Sequence, residues 1–172
     1  MRHNFLLMLA LSSGVAFAQQ PITTSIQTVP GMPPVISNTN LYSETAAGKM
    51  SPSVASALTR VYVPNRQSND VYVIDPETMK VVDKFRVGLN PQHVVPSWDL
   101  KTLWVANNAE GTTKGTLTPI DPVTGKPGKS IVVDDPYNMY FTPDGRFAII
   151  VAEARKRLDF RDAQTMQMQG SL

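Results

Sequence analysis

The sequence predicts an all-β fold built from a repeated unit of four short strands. A first observation is the stretch 61–75, in which two runs of β-branched and aromatic residues flank a polar loop, as is typical of a β-hairpin. A second observation is that both halves of this stretch return at spacings of 42 and 46 residues, and then return again more weakly. The copies begin at Tyr62, Trp104 and Ile149 for the first half, and at Val73, Pro119 and Asp159 for the second.

Composition supports a folded domain and excludes several kinds of site. Of the 172 residues, 42% are hydrophobic and only 17% are charged, which is typical of a chain with a packed core and not of a disordered one. The chain has no cysteine, so disulfides, thiolate metal sites, thioether-linked haem and a lipoprotein anchor are excluded. The net charge of +2 gives no support to nucleic acid as a partner.

The first 18 residues have the pattern of a signal peptide. Arg2 precedes an apolar stretch at 5–11, and Ala16-Phe17-Ala18 is the small-x-small site after which signal peptidase cuts. The apolar stretch is far shorter than the ~20 residues that a membrane-spanning helix needs, which favours a cleaved signal over an uncleaved anchor. We therefore expect a periplasmic or secreted protein with no membrane span.

Residues 19–58 predict a partly disordered linker. They contain only two charged side chains, Glu44 and Lys49, and are dominated by Pro, Ser, Thr, Asn and Gln without a sustained period of 2 or 3.6. Short apolar patches such as Val35-Ile36 indicate that parts of this segment lie against the domain. The folded domain is therefore expected to span residues 59–172.

Each repeat unit from Thr59 onward divides into four strands, although the first unit lacks a recognisable innermost strand. Pro143-Asp144-Gly145 is predicted to be the turn between the first two strands of the third unit, because Pro presets φ and Gly accepts a positive one. Pro119, inside a predicted third strand, requires a bulge or a distorted ladder. The predicted strands of the second and third units are 94–97, 102–106, 116–121 and 130–133, followed by 138–142, 147–152, 158–161 and 166–169.

Four short strands in every ~40 to 50 residues indicate the blades of a β-propeller, small sheets that bury their faces by stacking around a central channel. The continuous apolar runs at 71–74 and 148–151 agree, because a strand covered on both faces has no polar side. Several residues of these strands are accordingly expected to be buried. They are Tyr62, Val63, Val73, Ile74, Val105, Ile120, Ile149 and Ile150.

A set of short segments carries a family resemblance. They are Tyr62-Val63-Pro64-Asn65, Asn69-Asp70-Val71-Tyr72-Val73-Ile74-Asp75, Val81-Val82, Val87-Gly88-Leu89-Asn90-Pro91 and Pro143-Asp144-Gly145. Together they resemble the YVTN-repeat family of bacterial β-propellers, with Pro64 in place of the Thr of the family tetrapeptide. The resemblance covers residues 59–172. Similar propellers include exported binding proteins, lactonases, haem d1 domains of nitrite reductase and propellers that accompany quinone-dependent alcohol oxidation.

Four residues are candidates for ligand binding. His93 is predicted to lie just before an innermost strand, where a loop opens onto the channel, and Asn138 is its repeat equivalent. Arg155 and Arg157 belong to the one basic cluster, which is suited to a phosphate or an acidic partner. For each, the alternative is an ordinary solvated loop residue.

The sequence predicts no catalytic residue, no metal site and no cofactor. His93 is the only histidine beyond the leader, and no catalytic or phosphate-binding motif is present. Residues 121–126 are similar to the blade motif of quinoproteins, but Lys129 stands where that motif has a tryptophan, which argues against a quinone enzyme.

Two classes of function follow from the resemblance. The first is an exported, non-catalytic propeller that binds a protein or small ligand through its loops and channel. The second is a lactonase-like hydrolase or a redox-associated propeller of the haem d1 or quinone-pathway type. Family members have about seven blades, so fewer than three units predict a fragment whose open ends favour self-association or aggregation.

Overall fold

The computed structural model describes residues 36–37, 39–40 and 42–172, and in these residues regular structure consists of strands and two 3-10 turns. The predicted signal peptide and most of the predicted linker up to residue 41 lie outside the described residues. The strands are β1 (Val61–Asn65), β2 (Asp70–Asp75), β3 (Lys80–Arg86), β4 (Pro91–Pro96), β5 (Leu103–Asn107), β6 (Lys114–Ile120), β7 (Ile131–Asp134), β8 (Pro136–Phe141), β9 (Phe147–Ala152), β10 (Arg157–Asp162) and β11 (Met168–Ser171).

The strands form three antiparallel sheets in chain order, which we call sheets I, II and III. Sheet I contains β1 to β3, sheet II contains β4 to β7, and sheet III contains β8 to β11. Each strand pairs with the next one along the chain, so every sheet is a meander closed by short turns. The predicted all-β repeat is therefore confirmed, including the absence of an innermost strand from the first unit among the described residues.

The turn before the last strand of each sheet follows one local rule. An aspartate at the end of a strand accepts the backbone N–H two residues later through Oδ1, and a residue four positions after the aspartate takes a left-handed conformation. The φ values there are 56°, 70° and 58°. The aspartates are Asp75, Asp121 and Asp162, and the left-handed residues are Met79, Gly125 and Met166.

Pro119 disturbs the pairing of β6 with β7 and leaves the pairing of β6 with β5 regular. It pairs in register with Trp104 of β5, but pairing between β6 and β7 stops at Leu117, two residues before it. The proline has no N–H to give to β7, so the chain leaves the ladder, and Gly128 donates its N–H to the Pro119 carbonyl instead at 2.8 Å. The expected disturbance is therefore confirmed as a shortened ladder.

Apolar side chains are buried between successive sheets, as expected for stacked blades. One cluster between sheets I and II contains Val71, Val105 and Ile120, all with no exposed surface. A second and larger cluster lies between sheets II and III. Its buried members are Ala106, Leu117, Val133, Met139, Ala148, Ile150 and Met166.

Only half of the residues expected to be buried are fully covered, and the strand register explains which. Val73, Val105, Ile120 and Ile150 face a neighbouring sheet and are buried. Val63, Ile74 and Ile149 point to the other face of the first or last sheet, where the described chain provides no further sheet, and they are half-buried. Tyr62 faces sheet II but is also half-buried.

Contacts between turns also tie the sheets together. Trp98, in the turn after β4, donates its indole Nε1–H to the carbonyl of Pro143 in sheet III at 3.1 Å. The loop between β5 and β6 returns toward sheet I, where the N–H of Ala109 donates to the Leu89 carbonyl at 3.0 Å and Glu110 pairs with Arg66. Its conformation is therefore set by contacts across the sheet boundary.

The segment before the first strand is hydrogen-bonded to the turn that follows β6 in sheet II. Leu58 donates its backbone N–H to the Pro122 carbonyl at 2.8 Å, next to a short 3-10 turn at Pro52–Val54 that buries no side chain. Within the described residues, no helix has the length and apolar character to cross a membrane.

Candidate functional site

The innermost strands β4 and β8 begin in the same unusual way. In both, a buried proline pairs with the neighbouring strand, the next residue is bulged out of the register, and pairing resumes one residue later. The prolines are Pro91 and Pro136, and the bulged residues are Gln92 and Tyr137. A bulge re-aims side chains and is often found beside functional sites, so these strand starts are the structural basis of the candidate site.

His93 lies inside β4 and not in the loop before it, which corrects its expected placement, whereas Asn138 lies inside β8, within the strand predicted for it. His93 pairs with Ala106 and Asn138 pairs with Val151, so the two positions are equivalent in their sheets. Opposite residues in an antiparallel pair share a face. His93 therefore lies on the side of sheet II that meets sheet III, whereas Asn138 lies on the outer side of sheet III.

The structure brings His93 to Tyr137, a residue that the sequence had not indicated. The two rings meet edge to face with their centroids 5.3 Å apart. The Nε2 atom of His93 is buried and has no hydrogen-bond partner among the described residues. Asn138 is occupied elsewhere, because its Nδ2 donates to the Tyr140 hydroxyl at 3.2 Å. We call the two rings in contact the His93–Tyr137 pair.

Arg155 and Arg157 are engaged in ion pairs that cross from sheet III to sheet II. Their guanidinium groups lie 3.7 and 3.3 Å from the same carboxylate oxygen of Asp134. Arg155 also donates to the Thr113 hydroxyl at 3.0 Å. Both arginines are therefore engaged in contacts within the protein, which is typical of a structural role.

Arg157 holds a second, buried carboxylate. It donates to Asp159 through Nε at 2.6 Å and through a terminal nitrogen at 3.1 Å, and the Ser171 hydroxyl donates to the same carboxylate. Asp159 is only 1% exposed. The hydrogen bond from Arg157 to Asp159 is the main reason that the pKa of the guanidinium is raised. A bidentate arginine is the arrangement that makes a buried carboxylate tolerable.

Carboxyl groups with a shifted pKa in the described chain all shift downward. For Asp70, burial acts to raise the pKa, but hydrogen bonds from Asn65, Ser68 and Lys84 outweigh it. Hydrogen bonds likewise lower the pKa values of Asp83, Asp99, Asp121 and Asp162. A general acid or base works best with a pKa near the working pH, so these groups are poorly suited to that role.

Asp144 shows the largest of these shifts and supports a stability prediction. Its hydrogen bond from Thr142, followed by those from Arg146, lowers the pKa from 3.8 to about 2. Because the folded value lies below the unfolded one, the ionised group stabilises the fold fully above pH ~4, and this stabilisation is lost as the pH falls through about 2. Urea unfolding of wild type and Asp144→Asn should therefore differ most near neutral pH and converge toward pH ~2. A constant offset between wild type and Asp144→Asn over this pH range would contradict this assignment.

The described residues contain no group of three His, Cys, Asp or Glu side chains placed to hold a metal ion.

The sequence contained a signal that could have identified Tyr137. Pro91-Gln92-His93 and Pro136-Tyr137-Asn138 occupy the same offset in consecutive units. Within sheets, proline is found at the first residue of a strand or at a bulge. A proline at the start of both innermost strands is therefore consistent with a bulge at the residue that follows it.

A sequence model of the YNCE-like β-propeller family matches residues 19–168. The chain belongs to the YNCE-like β-propeller family. The match includes the stacked sheets and residues 19–58, which the repeat pattern had assigned to a linker. It agrees with the resemblance to YVTN-type propellers at the level of the fold. No curated protein sequence matches the chain significantly.

Solved structures similar to this YNCE-like propeller share its fold at low sequence identity. Hydrazine synthase of Kuenenia stuttgartiensis matches with a TM-score of 0.54 and 22% identity over 67% of this chain and 33% of its own. The dihydro-haem d1 dehydrogenase NirN matches with a TM-score of 0.53 and 17% identity over 67% of this chain and 24% of its own. The Pseudomonas aeruginosa periplasmic gluconolactonase PpgL has a TM-score of 0.49 and 20% identity, over 64% of this chain and 35% of its own. The chain thus spans about a third or less of the length of the first two structures.

Proposed function

We propose that this YNCE-like propeller is an exported, non-catalytic binding protein that receives its ligand at the His93–Tyr137 pair. The observation that carries the proposal is the bulge at the start of each innermost strand, which sets an imidazole against a phenol ring. The Nε2 atom of His93 is buried without a partner among the described residues. An unmet buried polar atom costs about 1–3 kcal/mol, and a polar group from a ligand would remove that cost.

The lowered pKa values of the carboxyl groups and the ion pairs of the arginines favour binding over catalysis. The shifted carboxyl pKa values lie below their usual range, and the arginines nearest the inner strand starts are paired with Asp134 and Asp159. Groups that are held in one protonation state contribute to structure and orientation more readily than to proton transfer. The predicted signal peptide at residues 1–18 supports export.

The proposal is tested by a thermal-shift screen of small molecules and short peptides, with titration of each hit. We expect His93→Ala to weaken binding of a genuine ligand by about tenfold, the loss expected for one hydrogen bond to a buried group. Asn138→Ala is the matched control, because this residue occupies the equivalent strand position but faces away from the His93–Tyr137 pair. It should leave affinity unchanged.

The alternative function, a lactonase-like hydrolase, is tested on the same variants with a panel of lactones. Hydrolysis that disappears with a chelator and with His93→Ala would contradict the binding proposal and support a lactonase-like enzyme. Hits that bind equally well to wild type and to His93→Ala would show that the ligand site lies elsewhere.

A further inference from the structure

A groove at the other end of the sheets is not used by the proposed function. It has a volume of about 730 Å³ and lies between the turn after β4 in sheet II and the turns of sheet III. The strands of each sheet run between two sets of turns, and the His93–Tyr137 pair lies at the opposite set. The groove is lined by aromatic, acidic, amide and guanidinium groups, and we call it the turn groove.

Trp98 provides a rigid aromatic surface at this groove. One side of its indole rests on the turn at Gly145, whose φ is +72° and where an added Cβ would lie 2.7 Å from Trp98 Cδ2. The indole Nε1–H is fixed by the Pro143 carbonyl at 3.1 Å. The residue nevertheless remains 54% exposed. A half-exposed ring whose position is already set can stack on a ligand with little further loss of conformational freedom.

Ionised carboxylates beside the indole act as hydrogen-bond acceptors. Asp99 and Asp144 occupy equivalent positions in the two turns, and each accepts a hydroxyl and a backbone N–H through Oδ1. Asp162 caps the next turn in the same manner. The pKa values of all three carboxyl groups are lowered by hydrogen bonds from hydroxyl and backbone N–H groups, so they are ionised at neutral pH.

Donors complete the lining and restrict the class of ligand. Gln164 contributes a primary amide, and Arg146 contributes a guanidinium that already pairs with Asp144 at 2.6 Å. An anionic ligand would meet three carboxylates, and a cationic ligand would use only the acceptors and would meet Arg146. A neutral ligand with many hydroxyl groups can donate to the carboxylates, accept from the amide and guanidinium, and place its C–H surface on the indole.

We propose that the turn groove binds a neutral carbohydrate, with a sugar ring stacked on Trp98 and its hydroxyl groups bonded to Asp99, Asp162 and Gln164. The volume lies within the range of small-molecule binding sites. The site is built from two turns of equivalent position in neighbouring units and one further turn of sheet III, so it requires both sheets.

The full chain is titrated with maltotriose, cellotriose and triacetylchitotriose, and binding is measured by tryptophan fluorescence and by calorimetry. At least one trisaccharide should bind and shift the tryptophan emission. Asp99→Asn retains the turn geometry and removes the charge, and Gln164→Ala removes an exposed amide, so both variants should fold. Each should weaken binding by roughly three- to tenfold.

Gln167→Ala is the matched control, because this glutamine lies in the same turn as Gln164 but does not line the groove. It should bind the trisaccharide as wild type does. The proposal is overturned if no trisaccharide binds up to roughly 10 mM, the range of very weak complexes. It is also overturned if spermidine or galacturonate binds in preference to the neutral sugars, or if Gln167→Ala weakens binding as much as Gln164→Ala.

Discussion

Replacing Ile150 by alanine should lower the free energy of unfolding by about 2–5 kcal/mol, whereas the same change at Ile149 should cost about 1 kcal/mol. The two residues are adjacent in β9 and identical in chemistry, but their side chains lie on opposite faces of sheet III. Ile150 is fully buried against Met139, Leu117 and Ala106 in the cluster between sheets II and III. Its truncation would therefore leave a cavity, while truncation of half-buried Ile149 would mainly change exposed surface.

Urea unfolding followed by circular dichroism measures both changes, with light scattering to report association at each protein concentration. Equal costs at the two positions in a monomeric sample would contradict the assignment of the buried face. A large, concentration-dependent cost at Ile149 would show that the outer face of sheet III is covered by another copy of the chain, as predicted for self-association.

Replacing Gly115 by alanine should destabilise the fold by about 1–3 kcal/mol or more, although it adds a single methyl group. A Cβ at this position would lie 2.1 Å from Pro136 Cδ and 2.7 Å from the backbone oxygen of Asn107. Neither neighbour is able to yield easily, because the Asn107 oxygen belongs to β5 and the proline ring begins β8. The methyl group would thus separate β6 from the first innermost residue of the next sheet.

Gly170→Ala is the control for this prediction, because an added Cβ there meets no atom within 4 Å. Alanine is preferred to glycine in a strand by roughly 0.5–1 kcal/mol, so this variant should be as stable as wild type or slightly more stable. Thermal and urea unfolding compare the two. If Gly115→Ala were as stable as Gly170→Ala, the close packing of sheet III on sheet II at Pro136 would be wrong.

The strands, the turns and their repetition were predictable from the amino-acid sequence, because these features depend on interactions between residues close in the chain. Phe147 to Ala152 formed the predicted strand without a change of either end. The turn at Asp144 formed because proline presets one dihedral angle and Gly145 accepts a φ of +72°. The repeat spacing then indicated sheets that must stack, which is why the propeller fold was predictable from one chain.

The covered faces of the strands and the pairing of charged groups depend instead on how the sheets pack together. Ile149 and Ile150 lie in the same apolar run, but in the described chain another sheet covers only the face of sheet III on which Ile150 lies. His93 moved from a predicted loop into β4 because of a bulge, and its partner Tyr137 lies 44 positions away in the chain. Arg155 and Arg157 find Asp134 across the boundary between sheets. Such contacts depend on the distance and angle between separately formed sheets, which local preferences do not encode.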